Sequence, residues 1–329
     1  MMDNHEYLTN LLYDEFTSIH SLKEERGRIP EIKAIIDDVT TWVLSQMQNG
    51  MLHALNIIYQ PSFDTFFKSI CFHRINISLS TENAFSQAEV DLKQFKWNGY
   101  DLMQIPMEVF IKTKQEDLEY NIKRVIGHEL LHAYEFYKKR LKGLDMLTPK
   151  QKSYYRYVRQ CMNENEPLRT FAYVVYYNTP IELRAFSQGI QMELFQIWEK
   201  EKLEDMPDNL PFQWYKEHIQ EFKTLRTLKE GLKIVLKNND DYDIIEAMLT
   251  LGLNQCKTSE SAKQCLYAMI DNIEETYNKA LSRAIEKCRL DGLYEMKDNF
   301  NYYSVLTEEE KFRNKKVREI FEKYGDNKL

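Results

Sequence analysis

The amino-acid sequence predicts an α+β protein, predominantly helical, with one small and mainly antiparallel sheet. Three observations lead there. Ten Gly and eight Pro in 329 residues are few, whereas sandwiches and barrels need many turns, so long helices with few connections are expected. Apolar residues recur at helical spacing near the start of the chain and again towards its end. Between them, in the segment Phe66 to Ile111, the period changes to two.

Leu8, Leu11, Leu12, Phe16 and Ile19 mark a first amphipathic helix, and Ile32, Ile35, Ile36, Val39 and Val43, after Pro30, mark a second. Ile75, Ile77 and Leu79 alternate with Asn76, Ser78 and Ser80. Ala88, Val90 and Leu92 alternate next, and Ile105, Met107, Val109 and Ile111 last. Asn98-Gly99, between the last two runs, is a turn signal, so about three antiparallel strands are expected. Thr113 and Glu116 then form a capping box. Asp117 and Glu119 follow at the positive end of a helix, Lys138, Lys139 and Arg140 stand at its negative end, and Gly143 is a stop signal, so this helix is expected over 113–142. Lys152 to Met162 reads as helix, Thr170 to Tyr177 as helix or strand, and Thr179-Pro180 opens a further helix. Beyond residue 200 the pattern is helical and highly charged, clearest from Ala262 to Ile285. The expected division is 1–200 and a helical region 201–329.

Several function classes lose support from composition. The formal net charge is -7, with acidic and basic residues interspersed, which offers no field to attract nucleic acid or anionic lipid. No nucleic-acid or membrane partner is expected. Asp3, His5 and Glu6 stand where a secretory signal would carry basic residues, and no segment approaches ~18 uninterrupted apolar residues; a cytoplasmic location is expected. Cys71, Cys161, Cys256, Cys265 and Cys288 never fall as Cys-x-x-Cys, so neither a disulfide framework nor a cysteine metal site is indicated.

The segment with chemistry is His128-Glu129-Leu130-Leu131-His132, of the form His-Glu-x-x-His. Histidines four apart lie one turn apart on a helix and both place a ring nitrogen on one metal ion, while the glutamate between them projects about 100° around the axis, towards a metal-bound water. Zinc in such a site lowers the pKa of its water towards ~7 and polarises a carbonyl; the glutamate takes the proton and returns it to the leaving amine. The plainer alternative is a helix whose histidines only pack or face solvent. Leu118, Ile122, Val125, Ile126, Ala133 and Phe136 define the buried stripe and leave His128 and His132 at its edge, where a cleft-lining histidine is expected.

Zinc hydrolases normally have a third protein ligand. A third histidine six residues after the second is excluded, because that position is Lys138. Glu182, opening a later helix, is the leading candidate, although Thr179, Pro180 and Glu182 also make a capping box that needs no metal. Glu135, Glu164, Glu166 and His218 are the other candidates, beside a site with two ligands. Glu135 suits support of His132 or Arg184 better than contact with the ion. Tyr134, Tyr173, Tyr176, Tyr177 and His218 are possible donors to a carbonyl oxygen. Arg184 pairs with a carboxylate near the site or solvates its helix. The strand Ile105 to Ile111 is expected to border the cleft, where an extended peptide could add to its edge.

His-Glu-Leu-Leu-His-Ala-Tyr-Glu, followed by Glu-Leu-Arg-Ala-Phe-Ser-Gln-Gly, resembles the paired motifs of the mitochondrial ATP synthase assembly peptidases and of phage and bacterial zincins. The resemblance covers these two short segments. It implies a gluzincin-like zinc metallopeptidase with a zincin-like domain, one Zn2+ per chain held by His128, His132 and Glu182, Glu129 as general base, and a polypeptide substrate. The chain departs from the pattern at Phe186, where thermolysin-like enzymes have an aspartate that orients a ligand histidine, and the two motifs stand further apart than in the assembly peptidases. The expected activity is endopeptidase hydrolysis, with the C-terminal helices restricting access or binding a protein partner. The alternative is a structural or assembly protein, such as a phage particle component, that retains the domain with little turnover.

Overall fold

The computed structural model describes residues 30–299 apart from 82–83, 92–93, 100, 142–148, 180–181, 184, 188, 191–192, 195–196, 198–210, 239–241 and 252–255. The expected helix at Leu8 to Ile19, the stop at Gly143, Arg184 and the expected division at residue 200 lie outside the described residues.

Helix α1 (Pro30–Gln46) buries Ile32, Ile35, Ile36, Val39 and Val43, the stripe its spacing predicts. Five strands follow: β1 (Met51–Tyr59), β2 (Phe67–Leu79), β3 (Phe85–Val90), β4 (Lys96–Asn98) and β5 (Asp101–Thr113). The main path of the sheet runs β1-β2-β5-β3, with β4 also paired to β5. β2 and β5 are parallel and the other three pairings antiparallel. The expectation of about three antiparallel strands therefore needs correcting. β1 escapes the pattern because its apolar residues do not alternate cleanly and Asn56 has a φ of 53°, which interrupts the pleat. The Asn98-Gly99 turn joins β4 to β5, and Gly99 supplies its φ of 62°.

The next helix is also shorter than its charges suggest. A 3-10 turn at Gln115–Asp117 precedes α2 (Leu118–Leu141). Thr113 is not its cap: it ends β5, and its hydroxyl accepts a hydrogen bond from Asn121 Nδ2 at 3.0 Å. The strand's own ladder outcompetes the capping box because Thr113 pairs with Leu79 across β2. Leu118, Ile122, Val125, Ile126, Ala133 and Phe136 are all buried. With α1 and the sheet they form one apolar cluster, centred on residues such as Phe72, Ile75, Ile105 and Met107.

A second cluster is mainly helical. It is built by α3 (Pro149–Met162), α4 (Leu168–Tyr177), helical turns among residues 182–197, α5 (Phe212–His218), α6 (Gln220–Asn238), α7 (Tyr242–Thr250) and α8 (Ser259–Asn299). The segment 170–177, open to either reading in the sequence, is helical. Among the described residues no helix is long and apolar enough to cross a membrane, and Cys71, Cys161, Cys256 and Cys265 are unbridged.

One buried polar chain fixes where the helical half presents the residues after α4. Asn272 Nδ2 on α8 donates to Asn178 Oδ1 at 2.8 Å, and Asn178 Nδ2 donates to the Met269 carbonyl at 2.9 Å. Asn178→Ala should destabilise the protein by about 1–3 kcal/mol, since it strands buried partners. Urea unfolding checks this.

Candidate metal centre

α2 has two working faces. Its apolar face lies on the sheet, and Tyr120, Arg124, His128 and His132, spaced at four residues, line the cleft on another face. The cleft has a volume of about 1720 Å³ and is walled by β3 on one side and by α3, α4, the 182–197 turns, α5 and α6 on the other.

Three groups converge beside α2. His132 Nε2 lies 3.0 Å from His128 Nε2. Glu182 Oε2, from the helical half, lies 3.2 Å from His128 Nε2 and 3.4 Å from His132 Nε2. Glu182 and His132 are buried, and His128 is nearly so. Thr179 does not cap its helix through a box with Glu182: its hydroxyl donates to the Tyr176 carbonyl at 2.8 Å while the Glu182 carboxylate reaches the two rings. Burial alone would push the Glu182 carboxyl up, but His132 and His128 together hold it well below the ordinary carboxylate range. Burial first, then the nearby charges of Glu182 and Glu129, raise the Tyr176 hydroxyl far above its ordinary range and keep it protonated.

Glu129 stands one step further out, its Oε1 4.0 Å from His128 Nε2. Its Oε2 accepts the backbone N–H of Val90 in β3 at 3.0 Å. The ligating atoms available from His128, Glu129 and His132 all lie within 4.8 Å of one another, a group that could hold a metal ion. Burial, reinforced by Glu182, pushes the Glu129 carboxyl up to about 8, against the opposing pull of His128 and the Val90 N–H.

The other sequence candidates separate clearly. Glu135 is not among the described residues lining the cleft. Glu164 and Glu166 are exposed, and Glu166 Oε2 instead accepts the Thr170 hydroxyl at 2.6 Å. His218 lines the cleft but is exposed, stacked on Trp214 with ring centroids 3.9 Å apart and its Nδ1–H on the Trp214 carbonyl at 2.8 Å. Tyr134 is in the sheet-side core against Phe66, whereas Tyr173, Tyr176 and Tyr177 line the cleft. The strand bordering the cleft is β3, not Ile105 to Ile111: that segment of β5 is flanked by β2 and β3 and has no free edge.

Sequence reasoning missed a charged array further along the same face. Arg124 Nη2 donates to Ser86 Oγ on β3, and its Nη1 lies 3.8 Å from Glu221 Oε1 on α6. Burial and the neighbouring Glu221 push the Glu193 carboxyl far up. At the rim, Arg159 on α3 pairs with Glu89 on β3 at 2.7 Å. The four-residue steps from His132 back to Tyr120 were the available signal for Arg124; nothing local marks Glu193 or Glu221.

Compared with protein-family models, with curated proteins and with solved structures, the chain matches none.

Because folding favours protonated Glu129, the metal-free folded chain binds more protons than the unfolded chain between about pH 4.5 and 8, and this group's contribution to stability falls as pH rises through that window. Glu129→Gln removes that loss. The stability advantage of the metal-free variant over the metal-free parent should grow from pH 5 to pH 8, which thermal unfolding at both pH values will show.

Proposed function

We propose that this protein is a zinc-dependent metallopeptidase of the zincin type, with His128, His132 and Glu182 holding the ion and Glu129 acting as general base. The observation that carries the reading is a spacing. Zinc bound to nitrogen and carboxylate oxygen at about 2.0–2.2 Å in a tetrahedron places its ligand atoms about 3.3–3.6 Å apart. The three atoms here are separated by 3.0, 3.2 and 3.4 Å. Two imidazoles and one carboxylate are also a donor set of zinc hydrolases with an open fourth position. Glu129, at 4.0 Å from His128 and anchored through its other oxygen to Val90, suits a neighbour of bound water better than a ligand.

When bound, zinc would acidify a water and polarise the scissile carbonyl. The chain's own residues supply the remainder. Glu129 Oε1 takes the water's proton and passes it to the leaving amine, while the Val90 N–H holds Oε2 and fixes the direction of the carboxylate. The protonated phenol of Tyr176, on α4, lines the cleft with Glu182 and suits support of that third ligand. The Val90 N–H turns towards the cleft and the Asp91 N–H towards Pro106 on β5, so by alternation Ser86 and Ala88 also present their backbone groups to the cleft. An extended polypeptide could pair with this edge of β3.

Two measurements test the reading. Elemental analysis should find about one zinc per chain in the parent and little in His132→Ala or Glu182→Ala. Glu129→Gln should retain zinc and cleave a peptide library at least about a hundredfold more slowly than the parent. A zinc-loaded Glu129→Gln that cleaves as fast as the parent would remove Glu129 from the mechanism.

A further inference from the structure

Charged groups and aromatic rings both line the cleft, and Tyr177 lies within electrostatic reach of Arg124 and Glu221. Arg124, Glu193 and Glu221 cluster where the first half of α2 faces α6. On the side of Glu182 the wall is aromatic. Phe186, one turn after Glu182, lays its ring against His128 with centroids 4.8 Å apart. Tyr177 lies 4.6 Å from Phe186, and Tyr173, one turn earlier on α4, lies 6.3 Å from Tyr177 with the planes 30° apart. The three rings form a path that begins at a histidine of the candidate centre and ends at Tyr173, which is 38% exposed.

All three residues line the cleft, and neither Phe186 nor Tyr177 is fully buried. Phe186 and Tyr177 rest on the helical core, which gives the wall a rigid backing. Phe186 has no polar atom, so it cannot orient His128 by a hydrogen bond; what it offers is a face of apolar surface beside the imidazole. Water covers such a surface poorly, and an apolar ligand group that displaces it gains from the hydrophobic effect and from ring packing.

We propose that Phe186, Tyr177 and Tyr173 form a specificity subsite that receives a large apolar or aromatic side chain of the polypeptide substrate next to the scissile bond. This rests on the metallopeptidase reading, because the subsite takes its meaning from its contact with His128. The three residues select the substrate.

The test is a pair of small hydroxamates, identical except that one carries a benzyl and the other a methyl group, titrated calorimetrically into the zinc-loaded parent and into zinc-loaded Phe186→Ala, Tyr177→Ala and Tyr173→Ala. Zinc content and thermal unfolding of each variant show that the centre is assembled; Tyr173→Ala, which removes a substantially exposed ring, serves if the other two fail to fold. The benzyl compound should bind the parent at least about tenfold more tightly than the methyl compound, the discrimination typical of a filled apolar pocket. That ratio should fall to about threefold or less in Phe186→Ala or Tyr177→Ala, and measurably in Tyr173→Ala. Equal binding of the two compounds by the parent, or an undiminished ratio in every folded variant, overturns the subsite and leaves the metal centre standing. A zinc-loaded parent that binds neither compound overturns the metallopeptidase reading, and the subsite with it.

Discussion

The candidate site depends on one contact made between two separately cored halves of the chain. His128 and His132 belong to a helix packed on the sheet, and Glu182 to the helical half. A buried carboxylate is costly unless paired, and two imidazole nitrogens at 3.0 Å repel unless they share a proton or an ion. Each group therefore constrains the position of the others, and the separation of the halves at this point is set by polar atoms instead of apolar packing.

That constraint explains how α2 is laid out. A helix wedged between a sheet and a cleft cannot be apolar all round, since its cleft face would then collapse onto the opposing half and close the cleft. Steps of four residues keep Tyr120, Arg124, His128 and His132 in one line, and each has a counterpart from the other half: Glu193 beside Tyr120, Glu221 beside Arg124, and Glu182 beside both histidines. The line of α2 that faces the other half is a row of ionisable groups, while Phe186 and the tyrosines of α4 supply apolar surface on the opposing wall.

Much of this was legible beforehand where a residue answers to its near neighbours. The stripe from Leu118 to Phe136 is buried as its period requires, and His128 and His132 stand one turn apart because they are four residues apart. The position of Glu182 beside them depends on a chain fold that no local pattern contains, and it was singled out by residue type and likeness of motif. Thr113 shows the opposite failure: it has good local capping chemistry, and the ladder to β2 takes precedence; at Glu182, where a capping box with Thr179 was the competing reading, the carboxylate reaches the two histidines. β1 was hidden because an edge strand with exposed Leu55 and Ile58 lacks the alternation that reveals half-buried strands.

The hydrogen bond from Val90 to Glu129 makes the backbone of β3 part of the candidate site. In a strand, successive N–H groups point to opposite edges, so a slip of β3 by one residue along β5, which turns each side chain to the other face, would commit the Val90 N–H to the sheet and offer Glu129 the N–H of a neighbouring residue instead. Glu129 would keep a backbone donor, but Val90 would leave the apolar cluster in which it is buried and Glu89 would turn towards it. Single-residue insertions or deletions in the strand Phe85–Val90 thus bear on the surroundings of Glu129 through the burial of Val90, although they alter neither the carboxylate nor its helix.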